Sequence, residues 1–344
     1  MSRPVLVVWV VSDGIAGHYN QSKGVLLALQ QQYDVQAHWL TIRLRGGWLR
    51  TPLKYVLNAT HGKLALAWLA WCYRDLVLPD AMPQVIVGAG GRSMYAVAAL
   101  AHLTQAAGVF VGSLRGLSPR LFAAVMVLES HPEPQYITLE TAPMPVDAIQ
   151  QQQAAAQWQH AHPDQTGELW AMLIGGDGAG AIYQPQDWHT LAAQMNQLAS
   201  DRGIRWLITT SRRTGSAAEH QLSQALNPVY VADAVWWAQQ PKPVMQAFLG
   251  RAQVVCCTAE SLSMLTEAIV ARRPVLALTP QHFAPDARYQ AALDRLAQRQ
   301  RLALCAFTSL QAQADQVDQL CVMQQDTHQW LAERLKTQLQ SYDL

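Results

Sequence analysis

The chain reads as an α/β protein built from two doubly wound halves, and three observations predict this. Short apolar runs of strand length alternate with helix-length amphipathic segments. The alternation stops at a Pro-, Gln- and Ala-rich stretch near the middle and then restarts. At three places an apolar run ends directly in a glycine loop that opens a helix, as parallel strands with crossover helices do. The 344 residues suit two ordinary domains better than one core.

Taken in order, Val5 to Val11 is a continuous apolar run, predicting a strand covered on both faces. "SDGIAGH" follows as a loop, and a helix is predicted from Asn20 to Gln32. Val35 to Ile42 alternates as a second strand. "QVIVGAGGRSMYAVAALAHL" repeats strand, glycine turn and helix, and "VFVGSL" and "AAVMVLE" supply two more strands. Residues 140 to 168 lack an apolar period and are the expected domain junction. They separate an N-terminal domain (residues 1–150) from a C-terminal one (residues 165–320), with a helical segment over residues 321–344. In the second half "LWAMLIGGDGAG" is a strand and glycine loop, and "QDWHTLAAQMNQLASDRG" is a helix closed by Gly203. "IRWLITTSRRTG" is another strand and loop. "VVCCTAESLSMLTEAIVARRPVLALTP" places a helix, starting near Ser261, between two strands.

Half of the residues are hydrophobic, 14% are charged and the net charge is +1. That composition is globular and lacks the basic excess of a general nucleic-acid binder. The five cysteines form no C-x-x-C, and Cys256 and Cys257 point to opposite faces of one strand, so reduced thiols of a cytoplasmic protein are expected. The first apolar run ends in a polar glycine loop rather than a cleavage site. The longest other run, Leu64 to Tyr73, is ten residues, against about 20 for a membrane span.

The candidate chemistry begins with the three loops Asp13–His18, Gly88–Ser93 and Gly175–Gly180. Glycine permits positive φ and close backbone approach, and the helix start beyond offers free N–H groups to an anion. Any single loop is equally explained as an ordinary strand-to-helix turn, but three at carboxyl strand ends favour a ligand cleft. None carries G-x-G-x-x-G or a Walker P-loop, and there is no G-x-S-x-G elbow and no H-E-x-x-H. Without an Asp-x-Asp pair, no metal site is expected, and no bound cofactor either. In the helix after Ser261, Leu262, Leu265, Ala268 and Ile269 define the buried face, while Ser263 and Glu267 share another. Glu267 lies about 6–9 Å of helical rise beyond the helix start, a diphosphate-to-ribose span. Thr258, Ser261 and Ser263 could then hold phosphates. On spacing alone, an exposed Glu267 paired with Arg272 or Arg273 explains the pattern equally well.

The order of these motifs resembles that of GT-B glycosyltransferases, among them the N-acetylglucosaminyltransferases that complete the lipid-linked peptidoglycan precursor. Their G-x-G-G-H, G-x-G-G and G-G-S-x-G-A loops and E-x-x-x-x-G-x-P helix end match Gly14–His18, Gly88–Gly91, Gly175–Gly180 and Glu267–Pro274 in order. Arg272 stands where that pattern has glycine. A closer resemblance is to the mitochondrial-fission (elongated mitochondria) family, whose bacterial members are regarded as glycosyltransferases and were once labelled nucleotide-sugar epimerases. It rests on Asp13, Gly17-His18, Asn20-Gln21, "TTSRRT" at Thr209–Thr214 and "AESLSMLTEA" at Ala259–Ala268, with Glu260 where that family often has Asp. The resemblance implies two Rossmann-type domains facing an inter-domain cleft. It implies a nucleotide-sugar donor on the second domain, with Glu267 on the ribose. Gly176, Asp177 and Gly178 with Ser261, Leu262 and Ser263 would then lie on the diphosphate, and Arg212 or Arg213 on its developing charge. His18 is then the general base, with Asp13 orienting it or only capping the helix, and Gly17, Asn20, Gly90, Gly91 and Arg92 lie on the acceptor side. The implied reaction is an inverting, metal-independent transfer. A non-catalytic membrane adaptor and a nucleotide-sugar epimerase are the rivals, the latter disfavoured by the missing nicotinamide fingerprint.

One further segment stands out. Arg43, Arg45, Arg50 and Lys54 surround Trp48 and Leu49 and precede the Trp-rich run Ala65–Tyr73. Two readings are open: a surface resting on anionic lipid at the inner face of the cytoplasmic membrane, or a mobile basic loop before an ordinary core helix. On the first, the acceptor is lipid-linked or an envelope glycan precursor.

Overall fold

The computed structural model describes residues 3–342. The chain divides into two units, Met1–Pro145 with Gln325–Leu344, and Val146–Gln324.

Unit 1 runs β1 (Val5–Ser12), α1 (Ala16–Gln30), β2 (Asp34–Thr41), β3 (Arg43–Leu44), α2 (Arg50–Ala59), α3 (Leu66–Cys72), β4 (Tyr73–Arg74), β5 (Val85–Ala89), α4 (Met94–Thr104), β6 (Ala107–Val111), β7 (Ala124–Val127) and β8 (Tyr136–Thr138). Unit 2 follows with α5 (Ala148–Ala161), β9 (Leu169–Ile174), β10 (Ala181–Ile182), α6 (Pro185–Arg202), β11 (Arg205–Thr210), α7 (Ser216–Ala225), β12 (Val231–Val235), α8 (Met245–Arg251), β13 (Val254–Thr258), α9 (Leu262–Val270), β14 (Val275–Thr279), β15 (His282–Phe283), α10 (Ala287–Gln298), β16 (Ala303–Ala306) and α11 (Leu310–Gln313). The last helix, α12 (Thr327–Leu339), returns to unit 1.

Each unit has a six-stranded parallel sheet. The order is β2-β1-β5-β6-β7-β8 in unit 1 and β12-β11-β9-β13-β14-β16 in unit 2. The central strands are buried on both faces, which is why β1, β5, β6, β9 and β13 are almost unbroken apolar runs. In unit 1, alternate residues serve two cores: Trp9 and Val11 one, Leu6, Val8 and Val10 the other. In each sheet the winding reverses beside the first strand, between β1 and β5 and between β9 and β13. Those reversals leave a crevice at the carboxyl strand ends where ligands of such sheets bind.

Two expectations shift. Helix α1 begins at Ala16 instead of Asn20, because Asp13 Oδ1 accepts the Ile15 N–H at 3.2 Å and turns the chain into the helix early. The stretch from 140 to 168 is not structureless: it holds α5, whose cap Asp147 accepts from the Gln150 N–H at 2.8 Å. Only Gln151 and Trp158 of α5 are buried, so its sequence has no visible period. The left-handed Gly203 (φ 69°) closes α6 as read, whereas the C-terminal helix starts only at Thr327.

Candidate functional site

In unit 1 the reversal point brings two of the three glycine loops together. His18, in the first turn of α1, places Nδ1 3.0 Å from both oxygens of Asp13. The Asp13 side chain is 2% exposed. Burial alone would raise its pKa. The hydrogen bond and charge of His18, the Ile15 N–H and the charge of Arg92 outweigh that and hold it below the usual carboxylate range. Asp13 thus bonds both the Ile15 N–H and the His18 ring, but it does not cap α1: the N-cap position is Ile15, without a side-chain cap. Gly90 has φ 85°, and a Cβ there would run into the His18 ring, so the β5–α4 loop can lie against the imidazole only as glycine. Gly91 faces the Arg115 guanidinium. Arg92 is exposed, and its carbonyl accepts from the buried Tyr73 hydroxyl at 2.7 Å. Asn20 is two residues beyond His18 on the same helix, so it points to a different face.

In unit 2 the reversal point joins the third glycine loop to the start of α9. The junction is a buried carboxylate. Glu260, 3% exposed, accepts from the Gly176 N–H at 2.9 Å, the Thr258 hydroxyl at 3.1 Å and the Tyr183 hydroxyl at 2.5 Å, with Arg213 3.6 Å away. Burial first, and then the Glu260 charge, push the Tyr183 hydroxyl far above its ordinary pKa, so it stays a donor. Thr258 accepts from the Gly175 N–H at 2.7 Å. Behind the loop, Ser211 and Thr214 donate to the Gly175 carbonyl. Gly176 and Gly178 take φ 154° and 153°, and a Cβ on either would strike Arg213.

The donor-side residues thus separate by role. Thr258 is fully buried and its hydroxyl is spent within the wall, so it shapes the loop and offers nothing to a phosphate. Arg213 spans the loop, donating to the Gly176 and Asp177 carbonyls at 3.3 and 3.2 Å, while Arg212 is exposed. Asp177 uses its carboxylate on the Tyr183 N–H at 2.9 Å. Ser261 is the N-cap of α9, and its own side chain makes no cap. The Leu262 amide faces the Tyr289 hydroxyl, which donates to the Ala259 carbonyl at 2.9 Å. Glu267 is half-buried, close enough that its charge, after burial and Glu260, raises the Cys257 thiol. Arg273 donates to the Leu249 and Gly250 carbonyls at the end of α8, at 2.8 and 3.0 Å. Arg272, at the position where the related pattern has glycine, adopts the glycine conformation, φ 58°. Among the described residues, no three of His, Cys, Asp and Glu gather as a metal site.

Sequence reasoning gave Glu260 no role beyond a mild departure, and Tyr183 and Tyr289 none. The available signal was an acidic residue directly behind a strand buried on both faces, where a carboxylate must find donors.

The model of the family described as Mitochondrial fission ELM1 matches residues 16–338, nearly the whole chain. The chain belongs to that family. The match begins after β1 and Asp13 and takes in His18, the β9/β13 reversal and α12 as far as Gln338. No curated protein matches this ELM1-family chain by sequence. Among solved structures it is similar to a putative UDP-N-acetylglucosamine 2-epimerase from Listeria monocytogenes, with TM-score 0.56 and 10% identity over 98% of this chain and 96% of that one. It is similar also to the UDP-GlcNAc 2-epimerase from Methanocaldococcus jannaschii, with TM-score 0.52 and 8% identity over 97% and 99%. Acinetobacter baumannii MurG aligns with TM-score 0.45 and 14% identity over 97% and 95%. At such identities the likeness is one of fold: the ELM1-family chain has the GT-B-like architecture of two parallel α/β sheets.

Proposed function

We propose that the chain is an inverting, metal-independent glycosyltransferase that moves a sugar from a nucleoside diphosphate to a lipid-linked or envelope glycan acceptor. The observation that carries this reading is the wall at the β9/β13 reversal. A glycine loop and a helix start whose own N-cap side chain makes no cap are held together by buried Glu260 before any ligand arrives. Preformed amides of this kind suit a diphosphate, because no reorganisation is needed as charge develops on the leaving group. Ser261 to Ser263 and Gly176 to Gly178 bind that group, Arg213 lies against it, and Glu267 accepts from the ribose hydroxyls.

In unit 1, Asp13 accepts a hydrogen bond from Nδ1–H of His18, which leaves Nε2 as the basic nitrogen. As the acceptor oxygen bonds to the anomeric carbon and the bond to the diphosphate breaks, Nε2 removes the acceptor proton. Asp13 stabilises the resulting imidazolium. Because a UDP-GlcNAc 2-epimerase is among the similar structures, epimerisation is the alternative to separate by experiment.

Thermal shifts with UDP-, GDP-, ADP-, CMP- and dTDP-sugars test the donor site in wild type and Glu267→Ala. One nucleotide should stabilise the wild type and lose most of its effect in the variant. At a ligand concentration of about 100 times Kd the stabilisation is about 2.7 kcal/mol. No response to any nucleotide would sink the reading. Where the donor binds, His18→Ala should abolish transfer and leave the shift intact. Interconversion of the free nucleotide sugar without transfer would establish the epimerase instead.

A further inference from the structure

The basic, Trp-rich segment of unit 1 is folded, and its outer face is unusual. Helix α3 turns Leu69 and Cys72 inward, and everything it turns outward is apolar: Leu66, Ala67, Trp68, Ala70 and Trp71. From Leu64 to Tyr73 the chain has no charged or amide side chain. A helix facing water shows a polar outer stripe, so this face is built for another apolar phase. Trp48 joins it from the loop before α2: ring centroids are 6.1 Å from Trp48 to Trp71 and 6.0 Å from Trp68 to Trp71. The three indoles are 67%, 64% and 51% exposed for Trp48, Trp68 and Trp71.

The surrounding charge is of one sign. Between Asp34 and Asp75 there are six Lys and Arg and no Asp or Glu, in a protein where the two signs nearly balance. Two of them directly oppose each other: Arg43 pairs with Arg74 across the β3–β4 ribbon. Like charges at opposed positions destabilise a ribbon, unless an anion lies over them. Arg45 ties this ribbon to the aromatic cluster through the Trp71 carbonyl at 2.6 Å.

We propose that this face, with Trp48, Trp68 and Trp71 inserted and Arg43, Arg45 and Arg74 on the headgroups, docks unit 1 onto an anionic lipid bilayer. Indoles favour the headgroup level, and flanking Arg and Lys add electrostatic attraction to anionic lipid. A second copy is the poorer occupant, because a twofold contact would press the two arginine pairs against each other. Among the described residues no helix is long and apolar enough to cross a membrane, so the contact is peripheral. The proposal does not depend on unit 2 binding a nucleotide.

Co-sedimentation of the full chain with vesicles tests it, comparing phosphatidylcholine alone with phosphatidylcholine containing one third phosphatidylglycerol. The protein should pellet with the anionic vesicles, and less so as salt rises from about 0.1 to about 0.5 M. The pair Arg43→Gln and Arg74→Gln should lower partitioning by about fivefold per charge. Trp68→Ala with Trp71→Ala should lower it by about tenfold or more. Melting temperatures should stay near wild type, since the altered side chains are exposed. Failure of the wild type to bind anionic vesicles would overturn the proposal. So would equal binding by the Trp variant, or a concentration-dependent dimer that the Trp variant abolishes while vesicle binding is absent.

Discussion

Glu260→Ala strands three donors at once: the Gly176 N–H, the Thr258 hydroxyl and the Tyr183 hydroxyl. A hydrogen bond to a charged group contributes about 1.5–3 kcal/mol, and donors left buried cost more than the bond gained. Arg213, part of the same network, is 40% exposed and water can take over its share. We therefore expect a loss of about 3 kcal/mol in the urea unfolding of unit 2, with any nucleotide-induced thermal shift abolished. An unchanged unfolding midpoint would show that the loop does not need its carboxylate. Residues of this kind are the least legible in a sequence. Asp13, His18 and Glu267 could be singled out because spacing and motif order point at them. Glu260 could not, because its importance arises from β9 and β13 becoming neighbours across 84 residues of chain.

At the scale of elements, what was legible follows from apolar period and glycine punctuation. Strands buried on both faces are nearly continuous runs, and Gly203 announces the end of α6. What was hidden follows from side chain–backbone chemistry. The Ala-Gly-His start of α1 has poor helix propensity, yet the Asp13 turn launches it. Helix α5 is mostly glutamine and alanine and is held by close packing on α8, where a Cβ on Gly250 would press on the Gln151 carbonyl. The loops at the unit 1 reversal depend on the same closeness. Gly90→Ala meets the His18 ring and also places a side chain at φ 85°, together costing on the order of 1–3 kcal/mol. The imidazole is the softer partner and should rotate off Asp13. The expected readout is a rise in the Asp13 pKa toward its ordinary value, followed by NMR. Asp13 supplies stability that is complete above the unfolded carboxyl pKa, about 3.9, and lost as pH falls through its lower folded value. Gly90→Ala should therefore shift the loss of that stability to higher pH. A variant that melts on the wild-type acid profile would refute this.

At the scale of the whole molecule, the chain leaves unit 1 at Pro145 and comes back to it at Gln325. The returning helix is part of the core. Leu331, Leu335 and Leu339, four residues apart, are buried with Val25 and Leu29 of α1 and Val109 of β6. His328 reaches the Met144 carbonyl at 2.8 Å, and Gln338 reaches that of Pro134 at 2.7 Å. Burying a leucine fully contributes about 1.5–3 kcal/mol, so three supply roughly 5–9 kcal/mol, comparable to the whole stability of a domain. Truncation after Gln324 should therefore unfold unit 1 selectively. Limited proteolysis should cut within the first 145 residues while unit 2 stays resistant, and calorimetry should lose one transition and keep the other. Such a truncated chain should still answer to the nucleotide that stabilises wild type, because Gly176, Glu260 and Glu267 all belong to unit 2. It should no longer pellet with anionic vesicles, because the Trp48, Trp68 and Trp71 face needs the unit 1 core beneath it. If both properties were lost together, or neither, the two units would not be the separate carriers of nucleotide and membrane binding argued above.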